Sequence, residues 1–132
     1  MSFRKFLWLL PVILSVSLLA GCSTTGTFVR MTPEVQPRND SNLYHVEVTF
    51  HSSRQALRWE TVQGYVIVDG KVFPLQPVPI VQNRWEGFVP VPATQDAVSY
   101  RFKFTYLYNV MGATPQPGSE LSPIYHLKII NP

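Results

Sequence analysis

The chain has a single cysteine, Cys22, among its 132 residues, so no disulfide can form within it. Whatever it folds into is held by packing alone. Charge is scarce: Asp, Glu, Lys and Arg make up 14% of the residues, and the net balance is +3. Arg4 and Lys5 are two of the eleven cations, which leaves nine Lys and Arg against eight Asp and Glu in the remainder. Such a remainder has no cationic stripe to neutralise a row of phosphates, so no nucleic-acid partner is expected. No glycine-rich phosphate loop and no G-x-S-x-G turn occurs. No apolar run reaches the length of about 18 residues that spans a bilayer. No stretch keeps a helical period over a useful length.

Metal and acid–base chemistry are poorly supplied. His45 and His51 fall on one face of a strand-like stretch, six residues and so roughly 20 Å apart, whereas a zinc ligand stands about 2 Å from its ion. His126 has no histidine or cysteine near it in sequence. No metal site is expected. Glu47 and Glu60 would each need a second carboxylate for acid–base work, and nothing in their spacing supplies one. No catalytic set is expected.

The first twenty residues have a different character. Arg4 and Lys5 give a positive start, and an apolar run extends from Phe6 to Ala20. This is the layout of a secretory signal. The run is about 15 residues, or roughly 22 Å as a helix, short of a hydrocarbon core of about 30 Å. Pro11 interrupts it. It closes on Leu19-Ala20-Gly21-Cys22, a leucine, two small residues and the cysteine.

This motif resembles the lipobox of bacterial lipoproteins, and the likeness covers residues 1–23. It implies that segment 1–21 is a signal peptide cut between Gly21 and Cys22. It implies that the Cys22 thiol carries a diacylglycerol thioether and that the new amino end receives a further chain of the palmitate kind. The protein would then sit on a membrane of the cell envelope. Ser23, in place of aspartate after the cysteine, implies the outer membrane, on its periplasmic or surface face, if the host is diderm. Each buried CH₂ contributes about 0.8 kcal/mol, so two or more long chains hold where one is marginal.

Beyond Cys22 the sequence reads as strands. Residues 23–27 are small and polar, as a tether is, and 27–35 alternate weakly, as a first edge strand does. Pro33, Pro37 and the polar cluster 38–42 read as loop. Residues 22–42 are thus assigned to the lipidated cysteine, tether and edge strand, and 43–132 to the globular domain. Residues 43–50 alternate strictly, with Tyr44, Val46, Val48 and Phe50 on one face. Residues 51–63 keep no clean period and predict a helical turn or a bent connection. Asp69-Gly70 supplies the positive φ values of a two-residue type I′ turn in a hairpin over 62–75. Pro74, Pro77 and Pro79 put the returning strand at an edge or end it early. Residues 83–91 predict a further strand, with Trp85, Gly87 and Val89 on one face.

Residues 98–108 predict the longest and central strand, with Val98, Tyr100, Phe102, Phe104, Tyr106 and Tyr108 at alternate positions. Residues 109–122, with Gly112, Pro115, Pro117 and Gly118, read as a long connection, and 123–130 as the closing strand. Six to seven strands with turn signals between them predict one all-β domain. Its expected form is a single antiparallel β-sandwich, immunoglobulin-like or related, preceded by the signal segment.

Two stretches are candidates for recognition. The connection 109–122 is the candidate binding loop, with Asn109, Val110, Met111, Gln116 and Glu120, because loops on a rigid sandwich commonly carry recognition. The aromatic row of 98–108 is either the core face of the central strand or, if exposed, a platform for sugar rings with Tyr106 and Tyr108 as its rim. Trp59 and Trp85 read as core or inter-sheet plugs. The expected function is a lipid-anchored, non-catalytic β-sandwich that binds an envelope protein or supports envelope assembly. Carbohydrate or cell-wall binding is the alternative, and a small envelope hydrolase a third reading. The expected partners are the membrane, through the lipid on Cys22, and a protein of the envelope, with carbohydrate as the alternative. No cofactor is expected beyond the covalent lipid.

Overall fold

The computed structural model describes residues 26–132. The signal segment 1–21, the lipobox, Cys22 and residues 23–25 lie outside the described residues. Ten strand segments follow in order: β1 (Gly26–Arg30), β2 (Val35–Pro37), β3 (Leu43–Ser52), β4 (Leu57–Val68), β5 (Lys71–Pro74), β6 (Gln76–Pro77), β7 (Arg84–Pro90), β8 (Ala97–Tyr108), β9 (Gln116–Leu121) and β10 (Tyr125–Ile130). One sheet has the order β1-β3-β7-β6. The other has the order β2-β10-β8-β4-β5, with β9 also paired to β8. Only β2 and β10 pair in parallel; the remaining pairs are antiparallel. The domain is an all-β sandwich. Its first sheet follows the A-B-E-D order of an immunoglobulin-type sandwich, and β10-β8-β4 follows G-F-C.

The strict alternation of β3 and β8 explains the packing. Tyr44, Val46, Val48 and Phe50 of β3 are buried, as are Val98, Tyr100, Phe102, Phe104 and Tyr106 of β8. The two faces meet at Phe50 and Phe104, whose rings stack with centroids 4.3 Å apart and planes at 4°. Trp85 of β7 stands edge-on to Phe104 at 4.9 Å. Gly64 of β4 lies opposite Phe104, where a Cβ would come within 2.6 Å of the ring. A glycine is needed there so that the ring can lie flat on the neighbouring strand.

The Asp69-Gly70 turn forms as its chemistry predicts, with φ of 51° and 74° at the two positions. The prolines after it also act as expected. β5 stops at Pro74, the chain crosses between sheets at the buried Leu75, and β6 pairs with β7 instead.

Four details differ from the sequence reading. The sandwich includes residues before 43: β1 pairs with β3 from Gly26↔Ser52 to Arg30↔Val48. The expected edge strand over 27–35 is two pieces in different sheets. Between them the buried Thr32 clips onto β3, its Oγ1 accepting from the Glu47 N–H at 2.7 Å.

Over residues 51–63, only 53–56 form the bent connection; 51–52 end β3 and 57–63 are already strand, with no helical turn. β4 carries a bulge between Arg58 and Gln63 that destroys the period of two. Thr61 Oγ1 fills the gap in the ladder, accepting from the Leu107 N–H at 2.8 Å.

The second part of the expected connection 109–122 is strand as well: β9 pairs with β8 from Tyr108↔Gln116 to Lys103↔Leu121. β9 and β10 run along the same edge of β8, offset in register by one residue. They are one closing strand interrupted by a bulge at Ser122. That buried hydroxyl accepts from Phe102 N–H and donates to the Pro123 carbonyl, both at 2.8 Å. Ten segments thus stand where six to seven were expected, because strands are split and short edge pieces are added.

Candidate functional site

Strand directions gather one set of connections at one pole. β3 ends at Ser52 beside Gly26. β4 begins at Leu57 beside Tyr108, the end of β8. The amide of Phe50 reaches the Asn83 carbonyl, and that of Asn109 reaches the Ala56 carbonyl, both at 2.9 Å. Connections 53–56, 78–83 and 109–115 therefore cluster where the chain joins the sandwich at Gly26. Connections 38–42, 69–70 and 91–96 lie at the far pole.

The candidate loop residues divide between loop and strand. Asn109, Val110 and Met111 sit in the true connection 109–115, and the Met111 side chain is fully exposed. Gln116 and Glu120 lie on β9, correcting their assignment to a loop. Gln116 is exposed at the start of that strand. Glu120 points to the place where β1 begins: its Oε1 accepts from Ser52 Oγ at 3.2 Å, and a Cβ on Gly26 would stand 2.6 Å from its Oε2. Burial pushes the Glu120 carboxyl above the usual range, against the hydrogen bond from Ser52, the charge of Arg54 and the Tyr106 hydroxyl.

The aromatic row is core. Tyr106 is 3% exposed, and its ring covers Gly118 of β9, where a Cβ would approach to 2.7 Å. Tyr108 is half-buried, with the Arg54 guanidinium 4.3 Å over its ring. Arg54 Nε also donates to the Tyr106 hydroxyl at 3.2 Å, which holds the guanidinium pKa above its ordinary value. The expected rim is thus one buried ring and one half-buried ring with a cation over its face. Trp85 is buried, while Trp59 stays partly exposed on the bulge beside Phe50.

The acids weighed for chemistry each meet an arginine. Glu47 pairs with Arg84 at 3.0 Å, and Glu60 with Arg58 at 2.8 Å. His45 pairs with Glu86 at 2.9 Å, and His126 Nδ1 meets Ser99 Oγ at 2.9 Å. Among the described residues no three His, Cys, Asp or Glu converge as metal ligands.

Two features were missed in the sequence. One is the connection 78–83, where Ile80 is completely exposed at a φ of 71°. The other is a concavity of about 410 Å³ on the outer face of the β3–β7 sheet, lined by Leu43, Phe73, Pro74, Phe88 and Pro90 around the His45–Glu86 pair. Phe88 is 55% exposed there, with His45 edge-on at 5.8 Å. The signal was available: Phe88 alternates against Trp85, Gly87 and Val89, so an aromatic stands on the face that should be polar. Set against protein-family models, curated proteins and solved structures, the chain matches none.

Proposed function

We propose that this is a lipid-anchored protein of the cell envelope, with a diacylglycerol thioether on Cys22 and a sandwich that binds another envelope protein without catalysis. The binding face in this reading is the concavity around Phe88. The observation that carries it is an aromatic ring, Phe88, left half in water in the wall of an apolar hollow. Burying such a ring contributes roughly 1.5–3 kcal/mol, a gain that a partner supplies where the fold does not. The His45–Glu86 pair gives the hollow a polar group with which to orient a partner. The face also lies away from Gly26: Leu43 and Pro90, which line it, pair where β3 begins and β7 ends, at the far pole. The sugar-binding alternative loses support because its aromatic row is buried.

The anchor and the binding face are tested separately. Cys22→Ala should release the protein from the membrane fraction and remove the lipid mass; unchanged retention would refute the anchor. A photo-crosslinking side chain at Phe88, in the native envelope, should give one discrete protein adduct that Leu43→Asp abolishes without changing thermal unfolding. A folded, anchored protein that yields no adduct from position 88 refutes the binding face.

A further inference from the structure

We propose that the pole at which the chain joins the sandwich lies against the bilayer, with Ile80 and Met111 seated at the boundary of headgroups and acyl chains. The proposal rests on lipidation of Cys22 as read above and names the surface that the anchor presses to the membrane.

Reach is the first argument. Four residue steps separate Cys22 from Gly26, at most about 14 Å when fully extended. A lipid on Cys22 therefore keeps this pole beside the headgroups. Exposure is the second. Ile80 and Met111 are 105% and 101% exposed, the two most exposed large apolar side chains among the described residues. Val81 and Val110 beside them are also exposed. The two tips come from opposite sheets, one from the connection 78–83 and one from 109–115, so together they form a two-point contact.

Backbone strain is the third argument. Pro79 and Ile80 occupy a turn in which Ile80 has a φ of 71°. The residue after a turn proline with positive φ is ordinarily glycine or asparagine, because a branched side chain crowds the backbone there. A β-branched residue held in that conformation and wholly in water is unfavourable for the free fold. Such strain concentrates at positions with a role. Contact with the bilayer interface gives this side chain the apolar surroundings it lacks.

Charge is the fourth. Connections 53–56, 78–83 and 109–115 contain no acid, and their one charged side chain is Arg54. The far connections 38–42, 69–70 and 91–96 contain Asp40, Asp69 and Asp96, of which Asp96 is paired with Arg38 at 2.6 Å. Loop tips without an acid, with Glu120 half-buried behind them on β9 and Arg54 near it, suit an anionic phospholipid surface better than the aspartate-bearing tips of the far pole.

The test uses the full-length lipidated protein in vesicles of phosphatidylethanolamine and phosphatidylglycerol. An environment-sensitive fluorophore is placed on Ile80→Cys, on Met111→Cys or, at the far pole, on Asp69→Cys; unchanged thermal unfolding verifies each fold. Iodide should quench the labels at 80 and 111 several-fold less than the label at 69. In an Ile80→Asp, Met111→Asp double variant, a label on Gln55→Cys should gain iodide access while the protein still floats with the vesicles. Equal quenching at all three positions, in a protein that floats and carries its lipid mass, overturns the docking and leaves the anchor standing. Protection that appears only when envelope proteins are added also overturns it, because a protein then covers the pole. A mature chain with a bare thiol overturns the anchor, and the docking falls with it.

Discussion

Replacing Phe104 with alanine removes the ring on which both sheets close. Phe104 is fully buried, stacked on Phe50 at 4.3 Å, edge-on to Trp85 at 4.9 Å and 5.9 Å from Phe28. A buried Phe→Ala change costs about 3–5 kcal/mol. This site belongs near the top of that range. Gly64 has no side chain to collapse into the space, and the stacked and edge-on contacts add about 0.5–1.5 kcal/mol per aromatic pair. A domain of this size has roughly 5–15 kcal/mol in total, so a third or more of the stability goes. Urea unfolding of the variant and the parent at matched slope measures the loss. At roughly 4 °C per kcal/mol, the midpoint should also fall by about 12–20 °C. A double-mutant cycle with Phe50→Leu and Phe104→Leu should return a coupling of about 1 kcal/mol. A Phe104→Ala loss below about 1 kcal/mol would refute the packing argument for the central strand.

Three further predictions probe other parts of the molecule. Ser122→Ala removes an acceptor for Phe102 N–H and a donor to Pro123 in a buried bulge, and should cost about 1–3 kcal/mol in urea unfolding; a neutral result would mean that the bulge does not depend on this hydroxyl. Ile80→Asn relieves a left-handed conformation costing roughly 1–2 kcal/mol for a branched residue, so the domain should gain up to about 1 kcal/mol; a loss of stability would remove the strain argument. Glu120 binds its proton more tightly when folded, because burial raises its pKa above the ordinary 4.5. Its contribution to stability is therefore present at acid pH and is lost as pH rises through the folded value. The stability of Glu120→Gln relative to the parent should increase as pH is raised from below 4.5 towards neutrality; a difference independent of pH would show that burial does not penalise this carboxylate.

Regular strands were legible wherever one face met the core without interruption. β3 and β8 alternate over their buried stretches, and Asp69-Gly70 has the only conformation its hairpin allows. The parts not legible share a cause: each is a place where the ladder is irregular. The bulge in β4 puts Thr61 where a backbone carbonyl would be, so alternation over 51–63 is lost although the strand continues. β9 was hidden by Pro117 and Gly118, which read as loop. Proline is tolerated there because, among the described residues, the outer edge of β9 pairs with no other strand, and glycine is wanted because the Tyr106 ring lies on it. Of the pole proposed to face the bilayer, the sequence singled out Val110 and Met111, as part of a candidate binding loop. It could not show that 78–83 joins them, since that proximity depends on β7 folding back along β3.

The lengths involved decide the orientation of an anchored domain. β4 and β8 each have twelve residues, so the sandwich is about 40 Å from pole to pole at roughly 3.3 Å per residue. A leash of about 14 Å from Cys22 is too short for the sandwich to stand inverted, with the aspartate-bearing pole on the headgroups and Gly26 uppermost. Phe88 pairs with His45, seven residues along β3 from Ser52, which places the hollow roughly 23 Å from the joined pole. A protein that fills it must therefore extend that far from the bilayer, or lie alongside the sandwich. The two proposed surfaces do not compete: with Ile80 and Met111 seated at the lipid, Phe88 would stand clear of it.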